Sequence, residues 1–149
     1  ESAIIKGIKQ TCREMLAPMP IVGVRGIRTI AKLIRKWPKK KGTKVANHYL
    51  GQIVRMQEEI GTGGGGFRFL YAAFLEQAAD HLQDDRLMPI SDQFTKAGDL
   101  WRSSAVQMAG IYKGRLTEQK DFDNTADIMT EISAIEYNAF KQLVKLNLK

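Results

Sequence analysis

Three glycines, Gly61, Gly63 and Gly66, stand at the spacing G-x-G-x-x-G inside the longer stretch EEIGTGGGGFRFLY at residues 58–71. That spacing cradles a phosphate or a methyl donor when a strand feeds into the glycines and a parallel sheet surrounds them. Here the feeding segment, QIVRMQEE at residues 52–59, has no run of β-branched residues. Its apolar positions, Ile53 and Met56, continue to Ile60 at helical spacing. A dinucleotide site is therefore not expected. Three readings of the glycines stay open. Gly61 ends a helix in a left-handed cap and the following glycines let two helices cross closely. Or bare N–H groups at the start of the next helix meet an anion or a carbonyl. Or the missing side chains admit a segment of another protein.

The remaining reactive residues are sparse. Cys12, in KQTCREML, is the one cysteine, and its helical spacing puts it on an apolar face, as a core thiol rather than a nucleophile. His48 and His81 lie 33 residues apart without partners nearby in sequence, and His81 suits the negative end of a helix. The carboxylate pairs Glu58–Glu59, Asp84–Asp85 and Asp121–Asp123 fall at expected helix ends or turns, where they read as caps. Asp127 and Glu131 share a helix face but have no histidine with them, and no Cys/His cluster has zinc spacing. No catalytic residue, metal or cofactor is expected of this chain.

The elements that would position these groups are helices. Ile4, Ile8, Cys12 and Met15 mark a first helix, broken by Pro18 to Pro20. A second, from about Val24 to Trp37, puts Ile27, Ile30, Ala31, Ile34 and Trp37 on one side and Arg25, Arg28, Lys32, Arg35 and Lys36 on the other. Pro38 and Gly42 close it. Thr43 or Asn47 caps a third helix through Glu59. The fourth runs from Phe67 to about Leu82 with Phe67, Leu70, Tyr71, Phe74 and Ala78 as its apolar stripe, which leaves Phe69 on the polar side with Glu76 and Asp80. The fifth begins near Pro89 or Ser91 and carries Phe94, Ala97, Trp101, Ala105, Met108 and Tyr112. The sixth begins near Asp123 or Asn124 and carries Ile128, Ile132, Ile135, Ala139 and Leu143. The fold class is all-α: a single domain over residues 1–149, about six helices in an irregular bundle.

The 149 residues, 44% hydrophobic and 26% charged, suffice for one core without a disulfide or metal staple. The longest apolar runs are far short of a bilayer span, and no secretory leader opens the chain. A lone cysteine fits a reducing, cytoplasmic setting. The net charge of +7 is uneven. Residues 25–44, RGIRTIAKLIRKWPKKKGTK, hold nine basic residues and no acidic one, leaving 14 basic against 16 acidic residues elsewhere. Such a face is a solvated surface, a nucleic-acid contact or a steering surface for an acidic protein. No aromatic residue is interleaved on the basic side, which weighs against nucleic acid.

The stretch GTGGGGFRFLYAAFLEQAADHL at residues 61–82 resembles the signature of a family of helical domains. These form the C-terminal part of proteins similar to the butirosin biosynthesis protein H acyltransferase. The amphipathic segment ending in Trp37 and the late stretch IEYNAF at residues 135–140 fit the same family. The resemblance implies an N-terminal papain-like domain that carries the catalytic cysteine and histidine and moves an aminoacyl chain from an acyl carrier protein to an amine. That domain is not found here, and the chain opens on Glu1 rather than methionine, as a C-terminal fragment of a longer protein would. The expectation is a non-catalytic accessory domain that shapes substrate access or docking. Its contact residues would be Gly61, Thr62, Gly63, Gly64, Gly65, Gly66, Phe67, Arg68, Phe69 and Tyr71. Its basic docking face would be Arg25, Arg28, Lys32, Arg35 and Lys36, presented to an acidic carrier. The alternative is a basic helical domain that binds nucleic acid or another acidic macromolecule.

Overall fold

Apolar side chains that recur every three or four residues can all reach one side of a helix, and burying that side is what stabilises it in a bundle. The computed structural model describes residues 2–60 and 64–148; 86% of these described residues are helical, and none is in a strand. In order they are α1 (Ser2–Met15), α2 (Gly23–Lys41), α3 (Thr43–Val54), a π-helical turn (Arg55–Glu59), α4 (Gly64–Leu82), a 3-10 turn (Asp85–Leu87), α5 (Met88–Tyr112) and α6 (Gln119–Lys145). Only Gly42 separates α2 from α3; with those two taken together the described residues form five helices, slightly fewer than the six or so expected.

The long helices α5 and α6 form the spine, and each contributes to two apolar clusters. One cluster joins Ile8 and Cys12 of α1, Leu75 of α4, Phe94 of α5 and Phe140 and Leu143 of α6. The other joins Ile34 of α2, Leu50 of α3, Met108 and Ile111 of α5 and Met129 and Ile132 of α6. Each large aliphatic side chain so buried contributes roughly 1.5–3 kcal/mol of transfer free energy. Along α6 the second cluster ends at Ile132 and the first begins at Ala139, so a boundary between the two falls near residue 136.

Several boundaries differ from the sequence expectation, each for a local reason. α2 runs on through Pro38 to Lys41; Pro38 falls in the last turn, and the helix closes when the Gly42 N–H donates to the Pro38 carbonyl at 3.1 Å. Neither Thr43 nor Asn47 caps α3: Gly42, at φ +81°, occupies the cap position without a side-chain bond. α6 starts at Gln119, ahead of Asp123 and Asn124, because the Glu118 N–H is held by the Asp121 carboxylate at 2.9 Å. Tyr112 is 56% exposed, although its ring lies against Gly51.

The largest correction concerns α4. It begins at Gly64, and its buried positions are Gly64, Gly65, Ala72, Leu75, Ala78 and Ala79. Of the expected stripe only Ala78 is fully buried; Tyr71 and Phe74 are half-buried, and Phe67 and Leu70 face outward. Phe69, expected on the polar side, instead packs on α5. A Cβ at Gly98 would fall 2.7 Å from the Phe69 ring, and the Arg102 guanidinium sits 5.0 Å above that ring. The cause is a close α4–α5 crossing. A Cβ at Gly65 would stand 3.0 Å from the Gly98 carbonyl oxygen and 2.9 Å from Arg102 Cγ. Gly64, at φ +72°, has the Gln57 side chain where its Cβ would be, at 2.5 Å. Gly66 meets nothing within 4 Å.

The glycine row should therefore divide under mutation. Gly65→Ala forces two backbones apart and should destabilise by about 1–3 kcal/mol. Gly66→Ala adds a helix-favouring side chain in open space and should stabilise by about 0.4–1 kcal/mol. Urea unfolding of the two variants measures both; equal shifts would show that the crossing does not depend on Gly65.

Candidate functional site

Glu136 belongs to the core face of α6, with Ile132 and Ser133 before it and Ala139, Phe140 and Leu143 after it, and its side chain is fully buried. A carboxylate there must be compensated. Arg68, in the second turn of α4, donates from Nε to Oε1 at 2.7 Å and from Nη2 to Oε2 at 3.0 Å. Trp101 of α5 donates its indole N–H to the same Oε1 at 2.7 Å. The Arg68 guanidinium also lies over the Trp101 ring, 4.8 Å from its centre, where the electron-rich face favours a cation. Three helices are thus joined by one buried ion pair at the boundary between the two apolar clusters.

The π turn belongs to the same assembly. The Ile60 N–H reaches back five residues to the Arg55 carbonyl at 3.1 Å, which widens the helix. Gln57, buried in that turn, donates from Nε2 to the Trp101 carbonyl at 2.8 Å. Ser104 donates to the same carbonyl at 2.7 Å. Both ends of Trp101 are therefore held, and the segment entering the glycine row is tied to the helix that Gly65 crosses.

Of the expected contact residues, Gly61, Thr62 and Gly63 lie outside the described residues, so a left-handed cap at Gly61 is not described. Gly64 and Gly65 are buried, and Gly66 is exposed. Phe67 and Leu70 are 50% and 66% exposed, and Ile60, ahead of the glycines, is 57% exposed. Arg68 turns inward to Glu136. Tyr71 packs edge-on against Phe94 at 4.9 Å, and its buried hydroxyl has no hydrogen-bond partner. Burial, with a smaller contribution from Cys12, pushes that phenol well above its ordinary range.

The five basic residues line two hollows. Arg25, Arg28 and Lys32 of α2 face Thr130 and Tyr137 of α6 across a groove of about 710 Å³ whose end is formed by Pro18 and Pro20. Arg25 and Thr29 hold that end by donating to the Pro18 and Pro20 carbonyls at 3.3 and 2.6 Å. Arg35 and Lys36 border a second hollow of about 420 Å³ with Lys39 and Lys40. Arg35 is neutralised by Asp123 and Asp127 of α6, whereas the other four have no ion pair among the described residues.

Cys12 is buried, and desolvation pushes its thiol up to about 11, the state of a core residue rather than a nucleophile. His48 and His81 are exposed. No group of three or more potential metal ligands occurs among the described residues, and no helix there is long and apolar enough to cross a membrane.

The profile of a family described as "Domain of unknown function (DUF4872)" matches residues 1–143. The chain belongs to that family. No curated protein and no solved structure matches it significantly. Within this DUF4872 domain the glycine-led stretch and IEYNAF meet through Arg68 and Glu136, 68 residues apart.

Breaking the pair from one side should be costly. Glu136→Ala strands a buried guanidinium and should destabilise by about 3–5 kcal/mol. The double variant Arg68→Met/Glu136→Leu should lose less than Glu136→Ala alone, with a residual of about 1–3 kcal/mol from the Trp101 N–H left without an acceptor. A double-mutant cycle by chemical denaturation checks this, and additive losses would contradict it.

Proposed function

We propose that this domain is a non-catalytic accessory module of an acyltransferase-like protein, docked against a papain-like catalytic domain through the exposed apolar start of α4. The observation that carries the reading is the outward placement of Phe67 and Leu70 directly after the glycine row. Large apolar side chains grouped at one end of a helix are what a domain contact requires. The resemblance of residues 61–82 and 135–140 to the butirosin-H-like family supports the catalytic partner. The unpaired Arg28, Lys32 and Lys36 support a second role, electrostatic steering of an acidic acyl carrier protein. A cytoplasmic setting goes with this reading and with the lone thiol.

A second reading is that the face of α2 binds nucleic acid. The absence of any acidic residue from α2 favours it. The two readings separate by salt: binding of random-sequence duplex DNA would weaken with a log–log slope of about −0.9 per phosphate contacted.

The test has two parts. The coding sequence upstream of Glu1 should encode a papain-like domain. In the intact polypeptide, Phe67→Ser/Leu70→Ser should lower carrier-to-amine transfer by about tenfold or more, as loss of ~1.4 kcal/mol of docking energy implies, while the thermal midpoint of the isolated domain stays unchanged. An unchanged transfer rate, or tight salt-sensitive DNA binding by the domain alone, overturns the first reading.

A further inference from the structure

Between α1 and the C-terminal end of α6 lies another groove, of about 490 Å³, within the range of about 300–1,000 Å³ usual for small-molecule sites. Its floor is apolar: Ile8, Cys12, Leu143 and Leu148, all buried in the first cluster. Burial keeps the Cys12 thiol protonated at neutral pH, so the floor holds no negative charge. Lys9 and Arg13 line the same groove. They stand one helical turn apart on α1, both exposed, and no acidic residue among the described ones lines it with them. Lys9 has no ion pair among the described residues. The side-chain hydrogen bond of Arg13 goes to the neutral amide oxygen of Gln10 at 3.3 Å.

An apolar trough bordered by two cations without counter-charges among the described residues fits a molecule with a hydrocarbon body and an anionic head. A neutral apolar ligand would leave the cations unused, and a polyanion would have nothing to place on the floor. We propose that this groove binds a straight-chain aliphatic carboxylate, its chain against the accessible Leu16, Pro18 and Val144 above that floor and its head between Lys9 and Arg13. The site adjoins the α2 groove at Pro18, but its two cations belong to α1, and its test depends on neither the α2 face nor the α4 surface.

Isothermal titration with octanoate, decanoate and dodecanoate, each below its micelle concentration, measures it. Binding should be one-to-one, with affinity rising about fourfold per added methylene. Decanol should bind about fivefold more weakly than decanoate, and decyltrimethylammonium more weakly still. Lys9→Glu/Arg13→Glu changes only exposed side chains; it should abolish the preference for decanoate over decanol while leaving thermal unfolding unchanged. Equal affinity for decanoate and decanol, or no saturable binding, overturns the proposal. So does sedimentation as a dimer that this double variant dissociates, because a second copy would then occupy the groove.

Discussion

A carboxylate with no access to water is tolerated in a helical bundle only if its charge and both oxygens are compensated, and that constraint organises this chain. Glu136 is so placed, and Arg68 and Trp101 supply the compensation from two other helices. Because the guanidinium contact is two-pronged, it fixes direction as well as distance. α4 cannot rotate about its axis or slide along α6 without exposing a charge to the apolar interior. Replacing such pairs with hydrocarbon need not cost stability. What the pair gives here is a defined orientation of three helices at the boundary where two apolar clusters meet.

The glycine row follows from the same requirement. For Arg68 to reach Glu136, the start of α4 must lie close over α5, and Gly65 and Gly98 are where that approach would otherwise clash. Gly64 leaves room for the buried Gln57, which in turn fastens the π turn to the Trp101 carbonyl. Thus two of the glycines after Gly63 have an internal reason. Gly66, open to space, has none in the packing, and it sits beside Phe67 on the outward side.

The helices and the two-sided character of α2 were legible because each segment alternates apolar and polar residues at a helical period. α4 was not legible in that way. From Phe67 to Leu75 it is apolar on every side apart from Arg68, so periodicity cannot phase it. The one charged residue in that run is the one that turns inward, which inverts the usual rule. Its partner lies 68 residues away and is invisible to local pattern. A signal did exist: Glu136 occupies a core position in the row Ile132, Glu136, Ala139, Leu143, and a carboxylate on an apolar face demands a cation elsewhere. The stripe read through Ile128 and Ile135 concealed it, since both are only half-buried.

With Arg68 fixed inward, helical geometry decides what faces out. Phe67 and Leu70 stand about 100° and 200° around the axis from Arg68, while Gly65, Ala72 and Leu75 fall within about 60° of it. The first pair is exposed and the second set is buried. Phe74 lies on the same outer side, yet it packs against the first apolar cluster two turns further along. The outward stripe is therefore covered toward the end of α4 and bare at its start, where Ile60 adds a third exposed apolar side chain. The bare end is a consequence of the internal ion pair: to hide Phe67 within this chain, α4 would have to roll and withdraw Arg68 from Glu136. Any cover for Phe67 and Leu70 must then come from outside the described bundle, which is why the proposed docking role rests on these two residues and not on Phe69.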